Sequence, residues 1–506
     1  MNRDNHDKLL FRYLLVFMAV WLILLTVIPS VFYKALPLDT IETIMWSHPF
    51  SMGNAKHPPL AAWLAGLFTV VFAHHDFAMY LLSQVMLVIG FVYLYRLGKE
   101  FFCTEKAVFS VILLATIIFY IADSAKFNVN LPHMALWPMM TFYCCRAVKY
   151  DRMADWVLFG LVSALSVLSK FFGFALLLGL FLFILTGRET RKYFRRPGPY
   201  VAFAVFLLTL MPYIVWLFQN DFPPFTYIAN RVSEEKLNPV SNFFILLGES
   251  LYPLAMPLLL LWLTMDHPLR SLLGFRPKKD LRPSDSLATR LAVCVQFTPI
   301  ALLTLMAGTG MMIDAMWGYP IYFITGFFLM AFWKDDVSPR EFKKLFFVLM
   351  TIFLLAQGYD VFRYFTKTRS HGGHFDGRKL AAAAQDFYRE QAGRDIPLAF
   401  GNMWFSGCIM QYLPNHPYAG AADDPYDEFR FRSVLDDEGA LGVFTDDKDV
   451  VSLSNALGID ADELRMKAKE FVFTYGAPYG KTKERHVSLV VIPPRKSSPQ
   501  PQPAGN

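Results

Sequence analysis

The sequence predicts an α-helical polytopic membrane protein that carries a small α/β domain towards its C-terminal end. Of the 506 residues, 55% are hydrophobic and only 18% are charged. The charged residues cluster between apolar runs that are long enough to cross a bilayer, which is the pattern of a multi-pass membrane protein. The net charge of +6 comes from basic loops, which set membrane topology, and gives no indication of nucleic-acid binding.

About eleven apolar runs are predicted to span the membrane. They lie at about residues 11–33, 77–97, 107–122, 132–149, 155–170, 171–187, 198–218, 243–265, 289–309, 317–333 and 342–361. The first run is too long for the hydrophobic region of a signal peptide. The two runs beside Lys170 are short, so a single long helix is an open alternative there. Alternate loops are rich in Lys and Arg, and the positive-inside rule therefore places the N-terminus in the cytoplasm.

The apolar stretch 59–74 is predicted to lie along the outer membrane–water boundary as an interfacial helix. The stretch begins at Pro59, directly after Pro58, and it ends at His74, which is followed by His75 and Asp76. Counting it as a crossing would place the basic segment RLGKEFFCTEK outside and break the alternation of loop charge. With this helix left out, the topology places the C-terminal end of the chain outside.

The chain changes character after Tyr364. RKLAAAAQDFYREQA predicts a helix, and IPLAFGN, GALGVFTD, KEFVFTYG and HVSLVVIPP predict short strands between turns. We therefore expect a transmembrane domain at residues 1–364, with its first outer loop at 34–76, and a periplasmic α/β domain at 365–495. Residues 496–506 are polar and proline-rich and are predicted to be disordered.

Unusual polar residues concentrate in loops on the predicted outer face. The first loop contains Asp39, Glu42, Trp46, His48, Lys56 and His57. The second contains Asp123, Lys126, Asn128, Asn130 and His133, and the loop after Trp216 contains Asn220, Asp221, Tyr227, Asn230 and Arg231. Lys170 lies between two apolar runs, where an ionisable residue is costly and usually faces a cavity. The alternative for Lys170 is a side chain that extends to the membrane interface.

Structural roles compete with chemical ones at several of these positions. Asp39 could cap a helix while Glu42 reaches back to its start, or Asp39 could face a cavity as a base or metal ligand. Lys56 could contact lipid headgroups or hold a phosphate, because its ammonium group is a compact point charge. The Asn130 region could be a helix cap with an interfacial histidine.

The order of these motifs resembles the GT-C membrane glycosyltransferases. More closely, it resembles the bacterial branch related to protein O-mannosyltransferases and the lipid A aminoarabinose transferase. The resemblance covers nearly the whole chain and rests on Asp39-x-x-Glu42, the turn KHPPLAAW, Asn130-Leu-Pro, WVLFGLVSALSVLSKFFG, WLFQNDFPPFTYIANR and AFGNMWFSGCIMQYLPNHPYAG.

The resemblance implies transfer of a sugar from a polyprenyl-phosphate donor, usually undecaprenyl phosphate in bacteria. The reaction is expected at the periplasmic face of the inner membrane, with lipid A, another envelope glycan or a protein as acceptor. Asp39 matches the family's catalytic acid, and Glu42 is the next acid along. Lys56 matches a basic residue before Pro-Pro-Leu. Lys170 and Arg231 are further candidate phosphate ligands, and the candidate substrate contacts are His57, Trp46, Asn128, Asn130, His133 and Tyr227.

Asn130 departs from the family pattern, because many relatives carry Asp at that position. The departure puts in doubt a second acid or a carboxylate-bound metal there, so no cofactor is assigned and a divalent metal ion stays possible. Two other classes stay open. A flippase or transporter of lipid-linked sugars is disfavoured by the lack of an internal repeat, and a non-catalytic scaffold on the GT-C fold is favoured by Asn130.

Overall fold

Contacts divide the chain into two compact units. The computed structural model describes residues 3–234, 238–268, 283–311, 315–333, 335–369 and 373–495. The helical unit comprises Met1–Val27, Lys56–Ala61 and Tyr80–Gly358. The α/β unit comprises Ile28–Ala55, Ala62–Met79 and Tyr359–Asn506. Much of the first loop therefore belongs to the same unit as the C-terminal part of the chain.

Helices make up most of the described chain. The first nine are α1 (Arg3–Phe32), α2 (Leu38–Ser47), α3 (Leu60–Val71), α4 (Phe77–Phe101), α5 (Thr104–Ala115), α6 (Ile118–Ala122), α7 (Leu131–Tyr150), α8 (Met153–Ser169) and α9 (Gly173–Thr186). They are followed by α10 (Arg188–Arg191), α11 (Pro197–Gln219), α12 (Pro223–Glu234), α13 (Pro239–Leu251), α14 (Ala255–Thr264), α15 (Pro283–Ala307), α16 (Thr325–Phe332) and α17 (Pro339–Thr366). Short 3-10 helices lie at Lys192–Arg195, Tyr252–Leu254 and Ala315–Ile324.

Within the described ranges, six helical segments are long and apolar enough to cross a membrane. They are Asn5–Phe32, Phe77–Phe101, Pro197–Gln219, Pro239–Thr264, Ser286–Ala307 and Pro339–Thr366. A seventh is obtained if α9 and Arg188–Arg195, which meet at a 97° bend, form one span. Each predicted span coincides with one helix or with successive helices. The run 107–122, for example, is divided into α5 and α6. The total of eleven spans stays a prediction.

The two short runs beside Lys170 form separate helices, so the alternative of one long helix is wrong. Lys170 ends α8 in an extended conformation, with φ −160° and ψ 140°. At the start of α9 the backbone turns back closely on α8. A Cβ atom at Gly173 would lie 2.7 Å from Ser166 Oγ and 2.9 Å from the Ser166 carbonyl carbon. The missing side chain of Gly173 therefore permits the sharp turn that contains Lys170.

Aromatic contacts join distant helices in the core of the helical unit. The Trp21 ring of α1 stacks on Phe353 of α17 at 4.6 Å between centroids and meets the edge of Phe91 of α4 at 5.6 Å. Both geometries are favoured by aromatic quadrupoles. A buried aromatic centre therefore links α1, α4 and α17.

The α/β unit contains a five-stranded mixed sheet in the order β2-β1-β3-β5-β4. Its remaining elements are α18 (Gly377–Ala392), β1 (Leu398–Gly401), α19 (Met403–Tyr412), β2 (Tyr418–Ala421), α20 (Pro425–Arg430), α21 (Arg432–Asp437), β3 (Ala440–Phe444), α22 (Asp447–Leu457), α23 (Ala461–Lys467), β4 (Lys469–Gly476) and β5 (Thr482–Ile492). Strands β1, β2 and β3 are parallel, whereas β5 runs antiparallel to β3 and to β4. The helix and the four strands predicted here are present, and β2 is an additional strand. The predicted disordered tail, 496–506, lies outside the described residues.

Helix α2 packs on α19 within the α/β unit. A Cβ atom at Gly407 of α19 would lie 2.2 Å from Ile41 Cγ2 and 2.7 Å from Met45 Sδ of α2. Just before α2, the Leu36 N–H donates to the Tyr412 hydroxyl at 2.9 Å, and the Trp404 indole donates to the Leu36 carbonyl at 3.1 Å. These contacts fix the orientation of α2, which carries Asp39 and Glu42.

Candidate functional site

The turn between α8 and α9 holds Lys170 inside the helical unit. The residue is only 9% exposed. Its Nζ donates a hydrogen bond of 3.0 Å to Asn130 Oδ1 and lies 4.9 Å from the centroid of the Trp317 ring. A buried ammonium group carries a large desolvation cost, which hydrogen bonds and an aromatic face offset. The alternative of a lysine that extends to the membrane interface is therefore wrong.

The segment before α7 supplies the acceptor for Lys170. Asn128 Oδ1 accepts from the Asn130 N–H at 2.9 Å, and both asparagines are buried. Ser169 Oγ donates to the Val129 carbonyl at 2.8 Å, which ties this segment to the end of α8. No side-chain cap forms at the start of α7, so the predicted capping role of Asn130 is wrong. Its side chain binds Lys170 instead.

His133 is fully buried in the first turn of α7. Its Nε2 lies 2.8 Å from the Ser166 carbonyl oxygen, which makes Nε2 the donor. Its Nδ1 and the neighbouring Ser166 Oγ have no hydrogen-bond partner among the described atoms. The interfacial position predicted as the alternative for His133 is therefore wrong, because the residue belongs to the same buried polar group as Lys170.

Lys56 and Tyr227 form a second cationic contact in the helical unit. Lys56 lies in the turn before α3, and its Nζ is 5.7 Å from the centroid of the Tyr227 ring on α12. Lys56 was predicted as a ligand of the donor phosphate, and Tyr227 was predicted as a substrate contact. Lys56 is partly buried. Its aliphatic stem and the Tyr227 ring therefore position the ammonium group, which stays in contact with solvent. His57 follows in the same turn and is also partly buried.

Asp39 and Glu42 lie on α2 of the α/β unit. Asp39 is in the first turn, where a carboxylate interacts favourably with the helix dipole. The N-cap residue is Pro37, which forms no side-chain capping bond, so the predicted arrangement with Asp39 as the capping residue is wrong. Asp39 and Glu42 are partly exposed, whereas Trp46 is 7% exposed and mainly packs in the unit.

The structure thus brings together Lys170 with Asn130, Asn128 and His133, and separately Lys56 with Tyr227. The side chain of Arg231 lies outside the described residues, although its backbone belongs to α12. Sequence reasoning missed Trp317. A tryptophan in a loop at a membrane boundary is common, and only its contact with Lys170 distinguishes it. Asp123 is bound by Lys126 at 2.8 Å and by the Tyr319 hydroxyl at 3.0 Å.

A polar cluster follows α3 in the α/β unit. The His74 ring stacks on His416 at 3.5 Å between centroids, and burial together with the nearby His416 and His48 lowers the pKa of His74 to about 4. Burial raises the pKa of Asp76, while Arg378 at 3.1 Å and the Tyr412 hydroxyl at 3.2 Å act in the opposite direction. Across the described residues, no group of three or more His, Cys, Asp or Glu side chains is placed to hold a metal ion.

Comparison with known proteins gives two kinds of match. The family model for dolichyl-phosphate-mannose-protein mannosyltransferases matches residues 56–216. Among solved structures, ArnT from Cupriavidus metallidurans in the apo state aligns over 98% of this chain and 100% of its own, with a TM-score of 0.64 and 14% identity. The same protein bound to undecaprenyl phosphate aligns over 96% and 99%, with a TM-score of 0.60 and 14% identity. No curated protein sequence matches significantly.

The chain has the GT-C fold of membrane glycosyltransferases. This confirms the predicted fold class, and the family match over residues 56–216 supports the resemblance and the enzyme class that the sequence predicts. The region matched by the family model begins at Lys56 and extends through Asn130 and Lys170 to Trp216. Both lysines therefore fall within the matched part of this integral membrane protein, whereas their aromatic partners Tyr227 and Trp317 lie beyond it.

Proposed function

We propose that this GT-C protein transfers a sugar from a polyprenyl-phosphate donor, in bacteria undecaprenyl phosphate, to an envelope acceptor. The observation that carries the proposal is the buried Lys170 ammonium group on Asn130 Oδ1, in a chain with the fold of a protein solved with undecaprenyl phosphate bound. A buried cation in a membrane unit is retained where it binds an anion or moves charge. The loop charges support placing the reaction at the periplasmic face of the inner membrane.

The reaction breaks the bond between the anomeric carbon and the phosphate oxygen, and polyprenyl phosphate leaves with the electron pair. The negative charge that develops on this phosphate is the charge that Lys170 and Lys56 stabilise. Arg231 is a third candidate phosphate ligand from the sequence. Fixed cations aimed at a developing charge in a water-poor site are usually the largest electrostatic contribution to catalysis.

The acceptor oxygen forms the new bond to the anomeric carbon. If the acceptor is a hydroxyl group, its proton passes to the Asp39 carboxylate, with Glu42 as the neighbouring candidate on the same helix. A general base of this kind typically contributes a factor of about 10²–10⁴. If the acceptor is a phosphate, no base is needed, and Asp39 then positions it. Lipid A or another envelope glycan is the acceptor class that we favour.

The buried polar group beside Lys170 also supports donor binding. His133 Nδ1 and Ser166 Oγ are buried without partners among the described atoms, and a bound polar ligand would supply hydrogen bonds to them. Asn128 is held by its contact with the Asn130 backbone and borders the same segment. We assign this group to the donor headgroup.

A non-catalytic scaffold is the second candidate, because Asn130 replaces an acid that many relatives carry. The experiment that separates the two is sugar transfer by purified protein from a panel of radiolabelled undecaprenyl-phosphate sugars to envelope lipid extract. The wild type is expected to release undecaprenyl phosphate and label an acceptor, and Asp39→Asn is expected to lose transfer to a hydroxyl acceptor. No cleavage of any donor by folded wild type would contradict the transferase and favour the scaffold.

A further inference from the structure

A cleft of about 650 Å³ opens on the α/β unit at the carboxyl ends of β1 and β3. Strand β1 leads through α19 to β2 on one side, whereas β3 leads through α22 and α23 towards β4 and β5 on the other side. In α/β sheets, ligands bind in the crevice beside the point where strand order reverses. The volume is in the range of small-molecule sites.

The floor of this cleft is rigid. Gly401 ends β1 with φ 147°, and a Cβ atom there would lie 2.0 Å from the Val443 carbonyl oxygen of β3. Asn402 Nδ2 donates to Asp449 Oδ2 at 3.0 Å, and the same oxygen accepts from the N–H and hydroxyl of Thr445, both at 2.8 Å. The loops after β1 and β3 are therefore tied together, and the cleft is preformed.

The walls combine apolar surface with acceptor groups. Leu38, Met403, Trp404 and Val451 supply apolar contacts. Asp423, Asp447 and Asp449 line the cleft with a single lysine, Lys448, so its formal charge is negative. Asp449 is engaged in the floor and Asp447 is paired with Arg465 at 2.8 Å, which leaves the exposed Asp423 as the carboxylate best placed to meet a ligand.

We propose that this cleft binds a saccharide unit that is neutral or carries an amino group. Hydroxyl or ammonium groups would donate to Asp423, while the apolar face of the ring packs against Leu38, Met403 and Val451. The negative lining disfavours phosphorylated sugars and uronic acids. Leu38 immediately precedes Asp39 on α2, so the cleft reaches the helix that carries the candidate base. If the proposed function holds, on which this assignment rests, the saccharide is part of the acceptor.

The test is saturation-transfer NMR on the full-length protein in lipid nanodiscs, with methyl β-glucoside, glucosamine and glucuronate as probes. The wild type is expected to transfer saturation to the glucoside and to glucosamine and at least fivefold less to glucuronate. Val451 is 48% exposed, so Val451→Trp fills the cleft without disturbing the core and is expected to abolish both signals. Asn455→Trp, on an exposed position of the same helix outside the cleft, is the matched control and is expected to keep them.

A second variant separates loss of the site from loss of folding. Asp423→Asn keeps the size of an exposed side chain and is expected to reduce the glucosamine signal more than the glucoside signal. Equal signals from wild type and Val451→Trp, or no saccharide signal from wild type, would overturn the proposal. A wild type that binds sugars but cleaves no polyprenyl-phosphate donor would contradict the proposed function and leave this site intact, so the two failures are distinguishable.

Discussion

The Lys170 ammonium group meets Oδ1 of Asn130 at 3.0 Å, across forty residues of sequence and between the ends of two helices. An amide oxygen accepts a hydrogen bond without neutralising the lysine charge. The positive charge is therefore oriented by Asn130 and by the face of Trp317, and neither of these contacts removes it. Such a group suits stabilisation of an anionic leaving group.

Lys170→Met is expected to lower kcat/KM for donor cleavage by about 10²- to 10³-fold, because it removes one preorganised cation from the leaving phosphate. Methionine retains most of the apolar length of the side chain. Lys126→Met is the matched control, because Lys126 is an exposed lysine paired with Asp123. Steady-state release of undecaprenyl phosphate measures both variants, and equal losses in the two would remove Lys170 from any specific role.

Gly407→Ala is expected to displace α2. A Cβ atom would lie 2.2 Å from Ile41 Cγ2, and overpacking of this kind costs about 1–3 kcal/mol. A shift of about 1 Å in α2, which carries Asp39, is expected to reduce kcat for sugar transfer by about 10²-fold. Donor transfer and thermal unfolding are measured on the same preparation.

Gly248→Ala provides the control for helix propensity, because a Cβ atom on Gly248 of α13 meets nothing within 4 Å. Alanine there is expected to leave transfer unchanged and to raise stability slightly, by up to about 1 kcal/mol. Full transfer activity in Gly407→Ala would show that the position of α2 does not matter for the reaction.

Much of the helical unit follows from the sequence, because an apolar run of bilayer length has few alternatives to a helix. Lys170 can also be recognised from the sequence, because it is an ionisable residue between two apolar runs. Trp317 does not stand out, since tryptophan is common at membrane boundaries. The packing of α2 on α19 has no local signal, because it depends on the absent side chain of Gly407, far along the chain. The strand β2 has the sequence Tyr-Ala-Gly-Ala, which contains no β-branched residue and includes glycine and alanine, residues that are depleted in strands.

Tyr412→Phe is expected to destabilise the α/β unit. The Tyr412 hydroxyl accepts from the buried Leu36 N–H at 2.9 Å and donates to Asp76 Oδ2 at 3.2 Å. Loss of the hydroxyl leaves a buried N–H without this acceptor, which costs about 1–3 kcal/mol. Thermal unfolding should show a lower Tm than wild type. Tyr479→Phe, at a position 83% exposed, should leave the Tm unchanged, and the same Tm in both variants would contradict the role assigned to Tyr412.

The stacked pair His74 and His416 is expected to make stability depend on pH. The pKa of His74 is lowered to about 4 in the folded protein, from an ordinary value of 6.5, first by burial and then by His416 and His48. Between these two values the unfolded chain binds a proton that the folded protein does not. The free energy of unfolding therefore falls as pH decreases from about 6.5 to about 4, and no further contribution from His74 is lost below that.

His74→Asn tests this directly, because asparagine cannot titrate and tolerates the left-handed backbone of this position, where φ is 60°. The His74 ring is only partly buried, so solvent screening limits the effect to a Tm decrease of a few degrees across this window. The variant is expected to show a shallower decrease than wild type between pH 6.5 and pH 4, measured by thermal unfolding. His48 retains a pKa lowered mainly by burial, so part of the dependence should survive. Parallel Tm curves for wild type and His74→Asn would mean that the stacked pair contributes nothing to the pH response.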